Sequence, residues 1–172
     1  MRCPGEGSKW APPIHNEIKI NFDAAVNNKG GMVGIEYVIA RDCEGKVLVA
    51  KARTLLYHWS PELCEARAAL EAIYMAKDEG YNNIILEGVA QVIIRALQEQ
   101  IPRGGDTQLV VEDIRAYRTS FSKVSFNFCY KECTLAAHRL AQWVVHQYCE
   151  EVWYGEGPEW IYEIIVADSY IY

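Results

Sequence analysis

The residues from Glu17 to Ala52 read as three consecutive strands joined by tight turns, and this early run constrains the fold more than any other feature. In Glu17-Ile-Lys-Ile-Asn-Phe-Asp23 the apolar Ile18, Ile20 and Phe22 alternate with Lys19, Asn21 and Asp23, the period of a half-buried strand. The turn Asn27-Asn28-Lys29-Gly30-Gly31 leads to a strand over Val33 to Ala40, and Asp42-Cys43-Glu44-Gly45 leads to one over Lys46 to Ala52. Two hairpin connections make these three strands antiparallel neighbours.

A helix must follow. Ser60 is a side-chain cap, Pro61 suits the first helical position, and Glu62 faces the positive end of the helix dipole. Leu63, Ala66, Leu70, Ile73 and Lys77 recur at helical spacing until Gly80. The apolar stretch Asn83 to Glu87 comes after a helix, which predicts a strand parallel to its neighbour. Helices are then expected over Ala90 to Gln100 and Thr107 to Tyr117, a strand over Lys123 to Cys129, a long helix over Glu132 to Gln147 and a last helix over Pro158 to Asp168. The order predicts an α/β fold with a five-stranded mixed sheet, three strands antiparallel and two parallel, flanked by helices.

Three units are expected: an N-terminal tail over 1–16 clamped on the surface by Trp10, a domain over 17–148, and an extension over 149–172 whose helix packs on that domain. The 172 residues, 51% of them hydrophobic, are enough for one buried core. No apolar run reaches membrane-spanning length, and no apolar stretch follows Arg2, so an intracellular protein, nuclear or cytoplasmic, is expected. Six cysteines without a secretory signal read as reduced thiols; Cys129 and Cys133 are expected to pack rather than to hold zinc with His138 and His146. A net charge of −6 repels phosphate polymers, and Arg95, Arg103, Arg115 and Arg118 form no evident basic stripe.

Several blocks in order resemble the plant-type ribonuclease H domain, which also ends LINE-type reverse transcriptases. They are Lys19-Ile-Asn-Phe-Asp-Ala-Ala25, Gly34 to Gly45, Ser60 to Leu70, Glu87, Lys131-Glu132 and Ala136 to Ala141, with Trp10-Ala-Pro-Pro13 as the lead-in and Glu151-Val-Trp153 near the end. The resemblance implies metal-assisted hydrolysis of the RNA strand of an RNA–DNA hybrid. Two Mg²⁺ ions about 4 Å apart hold the attacking water and the leaving oxygen. At an effective dielectric near 20 they repel by roughly 17 kcal/mol, so the family converges four acids on them.

The resemblance assigns Asp23 to the first acid and Glu65 to the second. Alone, Asp23 reads as a turn cap and Glu65 as a solvated helix acid; only the family pattern makes them a site. At the third position, Leu86-Glu87-Gly88-Val89-Ala90 places Val89 where an Asp belongs. At the fourth, His138 stands for the Asp and Thr134 for an Asn, while Phe128-Cys129-Tyr130 replaces the His-Val-Pro before the last helix. Four acids would supply −4 and the two survivors supply −2. The altered site is therefore Asp23, Glu65 and His138, with Val89 at the lost third acid. Cleavage is expected to be lost or strongly impaired, and no cofactor is expected beyond weak Mg²⁺ or Mn²⁺ binding at Asp23 and Glu65. Two rescues stay open at this point: Glu87, about 6.8 Å back along the strand, or a single Mn²⁺ or Zn²⁺ on Asp23, Glu65 and His138.

His138, beside two carboxylates, is expected to be held in its charged form. The expected partners are an RNA–DNA hybrid or RNA, bound weakly, or a small molecule or protein segment in a cleft made more apolar by Val89 and Phe128, and no membrane. An enzyme of different chemistry, or a residual ribonuclease H, is the competing class.

Overall fold

The computed structural model describes residues 9–27, 33–55, 59–99, 101–144, 150–155 and 159–169. Cys3 and the start of the tail, the turn residues 28–31, His146, Cys149 and Pro158 lie outside them. Strands β1 (Ile18–Asn27), β2 (Val33–Arg41) and β3 (Val47–Leu55) form the antiparallel run anticipated from the alternation. Helix α1 (Pro61–Asp78) starts where the Ser60 hydroxyl accepts the Leu63 N–H at 3.2 Å. It is followed by β4 (Asn83–Gly88), α2 (Gln91–Glu99), α3 (Gly105–Tyr117), β5 (Lys123–Phe128), α4 (Leu135–Val144), β6 (Glu150–Tyr154) and α5 (Glu159–Ser169).

The sheet has six strands, not five, in the order β5-β4-β1-β2-β3-β6. β4 runs parallel to both β1 and β5, as expected of a strand that follows a helix. The additional strand is β6, antiparallel to β3, so the segment expected as an extension helix first contributes an edge strand. Its five residues alternate outward Val152 and Tyr154 with the more buried Glu151 and Trp153, too short a pattern to stand out beside the helix that follows. The long helix expected over Glu132 to Gln147 is also corrected. Its first turn, Lys131–Thr134, is a 3-10 turn in which the Cys133 N–H donates to the Tyr130 carbonyl, and the α-helix begins at Leu135.

Two apolar layers sandwich the sheet. Ile20, Phe22, Val38 and Val49 on one face pack with α1, α2 and α3; Ile39, Val47, Ala50 and Ala52 on the other pack with Ala136, Ala137 and Leu140 of α4 and Ile161 and Ile165 of α5. The polar residues of β1 are buried too. Lys19, Asn21 and Asp23 lie beneath neighbouring segments rather than facing water, because each has a partner there.

The N-terminal segment supplies much of that cover. Trp10 is 1% exposed; its indole N–H donates to Asn21 Oδ1 at 2.9 Å, and the Arg41 guanidinium lies 3.7 Å from its ring centroid. Lys19 donates to the Ala11 carbonyl at 2.6 Å and pairs with Glu87 at 3.2 Å, and Asn21 donates to Glu87 at 3.1 Å. Glu17 is held by Lys123.

Gly88 ends β4 against the buried ring of Phe22. A Cβ at this position would lie 2.5 Å from Phe22 Cζ and 2.7 Å from Cε2, closer than side chains pack, and the fully buried ring has nowhere to move. Gly88→Ala is therefore expected to destabilise the fold by about 1–3 kcal/mol, read as a lower urea midpoint. An unchanged midpoint would mean that the ring can yield.

Candidate functional site

Asp23 occupies the buried face of β1, and its Oδ1 accepts the Ala24 N–H at 2.8 Å. The capped start of α1 sets Glu65 one turn in, beside Asp23. Burial raises the Glu65 carboxyl well above the usual range, and the Asp23 charge and a hydrogen bond between the two side chains push in the same direction. Ionising Glu65 beside Asp23 is therefore disfavoured. Glu65 Oε2 is buried and has no hydrogen-bond partner.

The parallel ladder between β1 and β4 pairs Asn21 with Glu87 and Phe22 with Gly88 and ends there, one residue before Asp23 on one strand and before Val89 on the other. Glu87 is committed to Lys19 and Asn21, which removes it as a replacement for the missing acid.

His138 comes from α4. Its Nδ1 is 3.7 Å from Asp23 Oδ2, and its Nε2 is 3.2 Å from Gln142 Nε2. The sequence brought Asp23, Glu65 and His138 together correctly, but not the charge of the imidazole. The expectation of a charged His138 is overturned in direction: burial lowers its pKa, Lys131 lowers it further, and the opposing pull of Asp23 does not reverse this.

Since the folded chain takes up this proton less readily than the unfolded one, the stability that His138 contributes is complete above about pH 6.5 and is lost as the pH falls below it. An NMR titration should place the His138 midpoint below the ordinary value. Lys131→Gln should raise it and Asp23→Asn should lower it further; a midpoint above the ordinary value would contradict the arrangement.

Asp23, Glu65 and His138 are the residues here that could contribute to holding a cation. Among the described residues, no group of three or more His, Cys, Asp or Glu is arranged to hold a metal ion. Cys129 and Cys133 are free, buried thiols; burial pushes both up, and Cys133 Sγ donates to the Lys9 carbonyl at 3.4 Å. Three of the scattered arginines have internal partners: Arg103 forms a two-point pair with Glu62 at 3.0 and 2.8 Å, Arg115 donates to the Ala96 carbonyl, and Arg118 lies over the Phe126 ring.

The sequence suggested Trp10 as the clamp of the N-terminal segment but not the polar network it joins, Lys19, Asn21, Arg41 and Glu87, which underlies the site. The only local signal of that network was the set of polar residues in the β1 alternation, which reads equally well as a wet face.

The family described as "Reverse transcriptase-like" matches residues 21–144. Among solved structures, RNase H1 from the halophilic archaeon Halobacterium salinarum NRC-1 is 18% identical with a TM-score of 0.70, over 76% of this chain and 98% of that one. LC11-RNase H1, isolated from compost by a metagenomic approach, is 15% identical with a TM-score of 0.68, over 77% and 97%. The same LC11 enzyme in complex with an RNA/DNA hybrid is 16% identical with a TM-score of 0.64, over 72% and 92%. At these identities the likeness shows the fold. No curated protein matches the chain.

Proposed function

Because the chain belongs to the reverse transcriptase-like family, we propose that it is a ribonuclease H-like domain whose hydrolysis of RNA–DNA hybrids is lost or strongly impaired and whose cleft is kept for binding. The observation that carries this reading is His138, where the family resemblance places an acid, with its Nδ1 3.7 Å from Asp23 Oδ2. Two of the four family positions hold acids, and burial together with the Asp23 charge disfavours ionising Glu65.

This donor set does not fit two divalent ions. Glu65 Oε2 is an open carboxylate oxygen, but Val89 offers no donor, Glu87 is engaged elsewhere, and the imidazole Nδ1 faces Asp23. The substrate class comes from the solved neighbours named RNase H1, one of which was captured with an RNA/DNA hybrid.

The experiment is a Mg²⁺ and Mn²⁺ titration of a labelled RNA–DNA hybrid with the full chain. Ordinary turnover that disappears in Asp23→Asn would overturn the reading.

A further inference from the structure

Where β5 ends, two aromatic rings stand partly in water. Phe128 is 37% exposed and Tyr130 is 38% exposed, and they meet edge to face with centroids 5.2 Å apart and planes at 75°. Single exposed aromatics are common on protein surfaces, but two that hold each other beside a candidate site are a different case.

Their backbone is fixed. Phe128 is the last residue of β5 and pairs with Gly88, the Cys129 N–H donates to the Gly88 carbonyl at 3.0 Å, and the Tyr130 carbonyl accepts from Cys133 at 2.9 Å. Phe128 pairs with Gly88, and Gly88 pairs with Phe22, the neighbour of Asp23, so the rings lie at the end of the sheet that carries the candidate site. Lys131 follows directly. It and Arg139 are exposed, form no ion pair among the described residues, and both act on His138 with positive charge.

We propose that Phe128 and Tyr130, flanked by Lys131 and Arg139, form a platform on which unpaired bases of a single-stranded RNA stack while the cations meet its phosphates. This rests on the reading of the cleft as a retained binding surface and does not involve cleavage. The inclined rings offer faces in two directions, which suits splayed bases. In a duplex the base faces are covered by their neighbours in the stack, so only an unpaired strand can use both rings. Rings mounted on fixed backbone lose little freedom on binding. Lys131 and Arg139 outnumber the exposed Glu132 beside them, so the rim complements phosphate although the whole chain is acidic.

The test is fluorescence anisotropy with the full chain and two probes: a labelled short RNA of non-self-complementary sequence, and the same strand annealed to complementary DNA. The single strand should bind more tightly than the hybrid. Phe128→Ala and Tyr130→Ala should each weaken it by roughly 5- to 100-fold, while Phe128→Trp and Tyr130→Phe retain binding. Lys131→Gln should reduce the salt slope by about 0.7. Both rings are exposed, so circular dichroism melting should show the alanine variants folded. A hybrid that binds better than the strand, or strand binding indifferent to both rings, overturns this inference alone and leaves the cleft reading standing. Absence of binding to both probes overturns the two together.

Discussion

Hybrid cleavage in millimolar Mg²⁺ is expected to run at least ~10³-fold below that of a family member with all four acids. Removing one preorganised group that stabilises developing charge typically costs 10²- to 10³-fold, and here Val89 and His138 stand where the family pattern has two carboxylates. Charge decides the outcome because divalent ions held close together repel strongly, and the ligands must offset that repulsion before any water is activated. Val89→Asp and His138→Asp together should recover at least ~10-fold, since one follows directly on the end of the β1–β4 ladder and the other replaces the imidazole 3.7 Å from Asp23. Each single variant should recover less, because three acids still leave the ions undercompensated. A double variant that folds and gains nothing would show that the groove, and not only its ligands, has diverged.

Trp10→Ala is expected to destabilise the domain by about 3–5 kcal/mol, the range for removing a fully buried large aromatic side chain. Three losses coincide: the apolar area of the indole, the hydrogen bond to Asn21, and the ring beneath the Arg41 guanidinium. The guanidinium is itself 1% exposed, so removing the ring opens a void beside a buried charge. Trp10→Phe keeps a ring under Arg41 and loses the N–H, and should cost about 1–2 kcal/mol. Urea midpoints measure both. A cost below ~1 kcal/mol for the alanine variant would mean that the N-terminal segment merely rests on the sheet.

Local patterns were legible in the sequence. The alternation of Ile18, Ile20 and Phe22 and the cap at Ser60 depend on a few neighbouring residues, and both features stand in the structure. β6 was not legible, because five residues at a sheet edge carry little periodicity and β3, which gives the strand its place, lies about a hundred residues earlier. The buried polar face of β1 escaped for the same reason. Asn21 meets Glu87 across 66 positions and Glu17 meets Lys123 across 106, and nothing near Asn21 or Glu17 announces either partner. In the candidate site, Asp23, Glu65 and His138 could be gathered only through the family pattern. The state of His138 could not, since it depends on how deeply α4 sets the ring and on Lys131 one turn before the helix.

The central position of β1 also sets an order of events in folding. β1, β2 and β3 can zip as local hairpins, but the other edge of β1 must wait for β4, which arrives only after α1 has formed between them. Until then Asn21 and Lys19 lack Glu87, and the surface that Trp10 covers is incomplete. The Trp10 segment, although it precedes β1 in the chain, thus locks late, and closure of the parallel ladder, rather than collapse of the hairpins, is expected to set how quickly the candidate site acquires its floor.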